Sequence, residues 1–320
     1  MDEFEFIKQI KPNYYRHDTI IKGIGDDAAV FRQPYQDVVT AVDTFVEGIH
    51  FSKKTMDPFH IGYRVLAANI SDMAAMGATP VSYLISLVVP KEWTDEELIA
   101  IYKGMESISK AYKIDLIGGD TVSGDQLVLS VTINGKVEKD KVRLRHHVRS
   151  GDVLFVTGTL GDSACGLDLL LSDDPRVESH RYLIDRHRLP TPRVDFAERL
   201  KVLNRVALND ISDGISSEAN ELAESSGVSI YLDYDQLPIS DELRSIQSNK
   251  QEEFILAGGE DFELLGAVSE KDWPIVQEAA EKSNLTVTQV GYATDGDSTV
   301  YIHQDEKVRL LKRGGYVHRN

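Results

Sequence analysis

The chain has 320 residues, 42% hydrophobic and 27% charged, the composition of an ordinary globular protein with material for two cores of about 150 residues each. Fifty-two acidic against thirty-five basic side chains give a net charge of −17, which disfavours a nucleic-acid backbone or an anionic membrane as partner. A polyanionic substrate is also repelled unless metal ions screen it, and a single cysteine, Cys165, excludes an internal disulfide.

The opening Met1-Asp2-Glu3-Phe4-Glu5-Phe6 is acidic where a secretory leader is basic, and no apolar run approaches the ~18 residues of a membrane span, so a cytoplasmic protein is expected. After a short N-terminal helix, Ile24 to Arg32 and Val38 to Val46 predict two strands joined at the proline-marked turn Gln33-Pro34-Tyr35. Asp26 and Asp27 lie at the start of the first strand, and Asp43 interrupts the second. A long helix follows from about Pro58 to Met76, apolar nearly all round. On it Asp72 continues the stripe Ile61, Val65, Ala68. A carboxylate there needs a partner; with no basic residue following at helical spacing, a metal is preferred over an arginine.

Val81 to Val89 predicts the next strand. Thr94 and Glu97 form a capping box that opens a helix running to Ala111, so the acids there are structural. Gly118-Gly119-Asp120-Thr121 then stands between the apolar run Ile114 to Ile117 and a strand from Leu127 to Val137. Alone it reads as a turn; its glycines would also let backbone approach an anion while Asp120 offers a hard oxygen ligand. The order of elements is an α+β pattern with antiparallel pairs. The charged stretch Lys139 to His147 marks a boundary, giving domains 1–148 and 149–320.

The second half opens with a strand, Val153 to Thr157, and the loop Gly158-Thr159-Leu160-Gly161-Asp162-Ser163 before a helix, a potential phosphate seat that matches no standard nucleotide motif. Cys165 on that helix reads as a buried structural thiol. A strand from Arg205 to Ile211 leads to Asp210-Ile211-Ser212-Asp213, where Ser212 and Asp213 fit N-capping and ligand contact equally. Strands at Val228 to Leu232, Glu263 to Val268, Thr286 to Val290 and Thr299 to His303, with helices between them, complete a mixed α/β domain. Acids beside small residues at Asp26, Asp43, Asp72, Asp120, Asp210, Asp213 and Glu260 thus recur at the ends of core elements. They predict one shared site in which carboxylates hold Mg2+ against a phosphorylated ligand.

In order and at matching spacing, Gly25-Asp26-Asp27-Ala28-Ala29, the segment Asp43 to Phe51, Asn69 to Ala78, Gly118-Gly119-Asp120-Thr121, Thr157 to Ser163, Asp210 to Gly214, Gly258 to Leu264 and Gly315-Tyr316-Val317-His318 resemble the thiamine-monophosphate kinase family. The resemblance covers nearly the whole chain. It implies ATP-dependent phosphorylation of thiamine monophosphate to thiamine diphosphate, on a two-domain fold like that of aminoimidazole ribonucleotide synthetase, usually as a homodimer whose N-terminal sheets pair. It further implies Asp26, Asp43, Asp72, Asp120, Asp210 and Asp213 as Mg2+ ligands, and Gly119, Asp120, Arg145 and Ser212 as ATP contacts. His50, Glu260 and Tyr316 are the implied thiamine monophosphate contacts. The absence of a nucleophile points to direct in-line transfer. Two departures stand out: Ala41 and Val42 replace the hydroxyl residues the family carries before Asp43, and no aromatic follows His318. A selenophosphate synthetase or a hydrogenase maturation factor, related enzymes, would each need a cysteine this chain lacks, and a non-catalytic metal or nucleotide sensor is the alternative of another class.

Overall fold

The computed structural model of the chain describes residues 20–22, 26–172, 177–246 and 248–315. The expected N-terminal helix, Ile24, Gly25 and Tyr316 lie outside the described residues. The first half carries strands β1 (Ile20–Lys22), β2 (Ala29–Arg32), β3 (Gln36–Val46), β4 (Thr79–Val89), β5 (Asp115–Ser123) and β6 (Val128–Glu138), with helices α1 (Pro58–Ala75) and α2 (Asp95–Tyr112). They form one sheet in the order β1-β2-β3-β6-β4-β5. Every pair is antiparallel except β4 with β5, which α2 joins as the crossover that a parallel pair requires.

Residues alternate strictly along β6, one face buried and the other open, as the period of a strand dictates. The expected capping box is present at the start of α2, with Thr94 accepting from the Glu97 amide and Glu97 from that of Thr94. α1 is buried on almost all sides, as its wheel requires. It crosses α2 so closely that a Cβ on Gly62 would meet the Ile101 carbonyl oxygen at 1.9 Å.

The Gly-Gly-Asp is no turn. Gly118, Gly119 and Asp120 lie inside β5, where a Cβ on Gly119 would stand 2.0 Å from the Ile85 oxygen of β4. Gly119 therefore serves strand approach. Every residue of β5 is exposed.

The second half is a seven-stranded sheet in the order β13-β12-β9-β11-β7-β10-β8. Its strands are β7 (Asp152–Thr157), β8 (Ala207–Asp210), β9 (Val228–Asp233), β10 (Leu264–Ser269), β11 (Val287–Asp295), β12 (Val300–Gln304) and β13 (Lys307–Leu310), the last unforeseen. Helices α3 (Asp162–Leu171), α4 (Arg181–Arg188), α5 (Val194–Arg199), α6 (Ile215–Ser226), α7 (Asp241–Ser245), α8 (Gln251–Ala257) and α9 (Trp273–Lys282) surround it. One apolar core runs from the first sheet through α1 and α2 to Phe155, Leu208 and Leu264 on one face of the second sheet. A separate core lies on the other face, beneath α6 and α8. α1 packs against elements of both halves, so residues on its different faces meet each of them. Among the described residues no helix is long and apolar enough to cross a membrane.

Candidate active site

Asp27 in the bend before β2, Asp72 on α1 and Asp210 at the end of β8 bring carboxylate oxygens within 4.8 Å of one another. Like charges this close, out of water, resist ionisation. Burial, then Asp43, Asp210 and Asp27, push the Asp72 carboxyl well above its ordinary range, with Arg145 opposing. Asp210 is raised likewise by burial and Asp27, against the Ser71 hydroxyl. Asp27 is raised by burial against the pull of Arg145. Asp43, reaching in from β3, is pushed up to about 6 by burial and by Asp27. Four acids from four elements are thus held in one place at an electrostatic cost that a bound cation would relieve.

The neighbouring Asp26 is engaged elsewhere. Its carboxylate lies 3.1 Å from the Lys22 ammonium and accepts from the Arg145 amide at 3.4 Å. The Arg145 side chain is itself fully bonded, to Asp27 at 2.5 Å, Glu221 at 3.0 Å and Asn209 at 3.1 Å. Burial pulls its guanidinium down, but Asp27 and Glu221 more than offset this and raise it above its ordinary value.

Beside the acids opens a cavity of about 630 Å3 lined from both halves of the chain, including Asp43, His50, Ser212, Asp213 and Glu260. The His50 ring accepts the Val46 amide at Nδ1, 3.0 Å away, which leaves its proton on Nε2 as a donor. Asp213 and Ser212 do not cap α6: Gly214 is the N-cap residue and offers no side chain. The Asp213 amide instead donates to Glu218 at 2.8 Å, and burial followed by Asp213 and Glu221 drives the Glu218 carboxyl well up. Glu260 sits at a left-handed φ of 69° and donates its amide to the Ser212 oxygen at 2.7 Å.

Asp120 stands apart within the chain. In register across the sheet, Asp43, Val131, Ile85 and Gly119 form one row, while Thr44, Ser130, Ser86 and Asp120 form the next. Adjacent rows point to opposite faces, so Asp43 faces the core and Asp120 the outside, three strand spacings or ~14 Å away. The phosphate seat expected at the loop before α3 is filled by the protein itself. The amides of Gly161 and Ser163 donate to the Asp261 carboxylate at 2.7 and 3.2 Å.

A family model described as AIR synthase related protein, N-terminal domain, matches residues 25–137, and its C-terminal counterpart matches residues 149–304. The thiamine-monophosphate kinase of Bacillus subtilis is 44% identical, with 99% of each chain covered. That of Haemophilus influenzae is 34% identical over 99% of this chain and 98% of its own. A solved structure, AaThiL complexed with AMPPCP and TMP, has 32% identity and a TM-score of 0.84, covering 99% of this chain and 97% of that one. Matched in both halves and over its full length by such relatives, the chain belongs to the thiamine-monophosphate kinase family.

Proposed function

We propose that the chain transfers the γ-phosphate of ATP to thiamine monophosphate, giving ADP and thiamine diphosphate. The observation that carries this reading is the acidic cluster set against a cavity lined by His50 and Glu260, in a chain kin throughout its length to kinases of that name. A divalent cation fits the cluster: the donors are all carboxylate oxygens, and burial has raised their proton affinity without a lysine or second arginine among them. Asp27, Asp43, Asp72 and Asp210 would hold Mg2+, with Asp213 on the cavity wall as a further ligand. When bound, Mg2+ neutralises phosphate charge that so acidic a site otherwise repels. Asp27 joins the set through its approach to Asp72 and Asp210, and Asp26, which contacts Lys22 and the Arg145 amide, stays a proposed ligand at its edge.

The remaining roles follow from chemistry. Arg145, exchanging part of its carboxylate pairing for phosphate, and Ser212, on the cavity wall, orient the nucleotide with Gly119 and Asp120. His50 donates from Nε2 to a phosphate oxygen of thiamine monophosphate. Glu260 accepts from the aminopyrimidine, and the Tyr316 face meets the cationic thiazolium. With Cys165 buried, no nucleophile intervenes and transfer is in line.

The outer face of the first sheet exposes Val42, Leu84 and Val122 around the row Thr44, Ser130, Ser86, Asp120. A second copy of the chain covers this face, pairing N-terminal sheets in a homodimer and delivering Asp120 of the partner subunit to the ATP site. The N-terminal domain, 1–148, is the dimerising and Mg-ATP-binding unit, and 149–320 completes the cleft. The enzyme works in the cytoplasm, without nucleic acid or membrane.

Incubating the purified protein with ATP, Mg2+ and thiamine monophosphate should release ADP and thiamine diphosphate in equal amounts. ADP without thiamine diphosphate, or neither, refutes the assignment. With chiral γ-thiophosphate the product should be inverted at phosphorus; retention would indicate a covalent intermediate instead.

A further inference from the structure

Arg64 belongs to no motif that the sequence displays, yet it is 2% exposed and lies on α1 between the two halves. One arm of its guanidinium, Nη1, donates to the His50 carbonyl at 3.1 Å. The other, Nη2, forms an ion pair with Glu260 Oε2. His50 lies in the turn directly after β3 in the first half; Glu260 lies in the loop before β10 in the second. A single buried cation therefore ties the backbone of one cavity-lining residue, His50, to the side chain of another, Glu260, from the opposite half. On the far side of Glu260, His187 Nδ1 lies 3.9 Å from the same oxygen and 3.1 Å from the Ser163 hydroxyl. Burial, then Arg64 and Arg188, hold the His187 imidazole well below its ordinary range and so neutral. Arg64 is thus the charged partner of the Glu260 carboxylate, and Glu260 has a backbone conformation that costs energy for a side chain other than glycine.

We propose that Arg64 is the positioning residue of the thiamine monophosphate subsite, its fork fixing Glu260 and the His50 loop in mutual register before the substrate arrives. The planar guanidinium is suited to this because it reaches two acceptors in fixed directions, which an ammonium does not. The inference rests on the proposed substrate contact of Glu260. It requires that loss of Arg64 be felt by thiamine monophosphate and scarcely by ATP, which is held at the acidic cluster.

The test is steady-state kinetics and direct binding of each substrate to Arg64→Met, Arg64→Lys, Glu260→Gln and the Arg64→Met/Glu260→Gln pair, with melting temperatures. Arg64→Met should raise the KM and Kd for thiamine monophosphate ~10-fold or more and those for ATP less than ~2-fold, Arg64→Lys falling between. The double variant should bind no worse than the weaker single one by more than ~2-fold, since both remove one unit. Should Arg64→Met fail to fold, Arg64→Lys carries the test, because it keeps the charge and loses the second bond. Equal weakening of both substrates, or a lowered melting temperature with both affinities intact, overturns the inference. If Glu260→Gln weakens thiamine monophosphate while the Arg64 variants do not, the inference alone falls. If Glu260→Gln leaves that affinity unchanged, the substrate contact falls and the role of Arg64 with it.

Discussion

Replacing Asp43 by asparagine should stabilise the metal-free protein while disabling the enzyme. Asp43 is driven from an ordinary 3.8 to about 6 by burial and by Asp27, and at ~1.36 kcal/mol per pH unit the rise favours its protonated form by ~3 kcal/mol. The sign follows from the raised value: the stabilising contribution is fully present below pH 3.8 and is lost as pH climbs to about 6. Above that point the ionised carboxylate is a burden that the near-isosteric amide lacks. In EDTA, the Asp43→Asn variant and the parent should respond alike to acid below pH 4, diverge between pH 4 and about 6, and keep a constant difference above that. At ~2–4 °C per kcal/mol for domains of this size, the variant should melt ~6–12 °C higher at pH 7. Excess Mg2+ should then stabilise the parent far more than the variant. Turnover by the folded variant should fall at least ~100-fold, the loss of ~2.7 kcal/mol of charge stabilisation. Thermal melts from pH 4 to 8, with and without Mg2+, read all of this. A melting difference independent of pH, or equal stabilisation of both proteins by Mg2+, refutes the account of a strained acidic cluster awaiting a cation.

Asp120→Asn, on the exposed outer face, should leave the melting temperature within ~1 °C while lowering turnover at least ~100-fold; normal kcat in the folded variant excludes Asp120 from the site. Val122→Lys places an ammonium on that same face and should yield a monomer by sedimentation, with activity lost alongside; an active dimer refutes pairing through the outer face. Burial, helped by Asp168 and Asp162, pushes the Cys165 thiol up to about 12, so it should resist a disulfide reagent at pH 8 in the native protein and react once urea unfolds it. Prompt labelling of the native thiol would contradict its burial.

The long elements were legible in the sequence because each rests on a local rule. The all-round apolar wheel of α1, the Thr94 and Glu97 cap of α2 and the alternation along β6 appear where expected. What escaped depends on partners distant in the chain. Gly118-Gly119-Asp120 has the chemistry of a turn, yet tertiary pairing with β4 draws it into a strand. Asp27 meets Asp72 and Asp210 only through the fold, so its place in the cluster has no local signal. The glycine loop before α3 has the amides of an anion seat, but Asp261, about a hundred residues on, already occupies it. Arg64 gave no signal, since an arginine within a helix is ordinary until its neighbours in space are known.

The placement of Asp43 and Asp120 on opposite faces of one sheet has a genetic consequence. If each cleft draws one aspartate from each subunit, two crippled proteins can repair one another. Asp43→Asn and Asp120→Asn, each nearly inactive alone, form on mixing and subunit exchange a hybrid in which one cleft receives both defects and the other none. Random pairing makes half the population hybrid, so about a quarter of the parental activity should return, by the arithmetic of a two-fold dimer. By the same logic, a natural subunit sequestered in a hybrid with either variant still completes one intact cleft, as it does in its own dimer, so such an allele expressed in excess should not interfere.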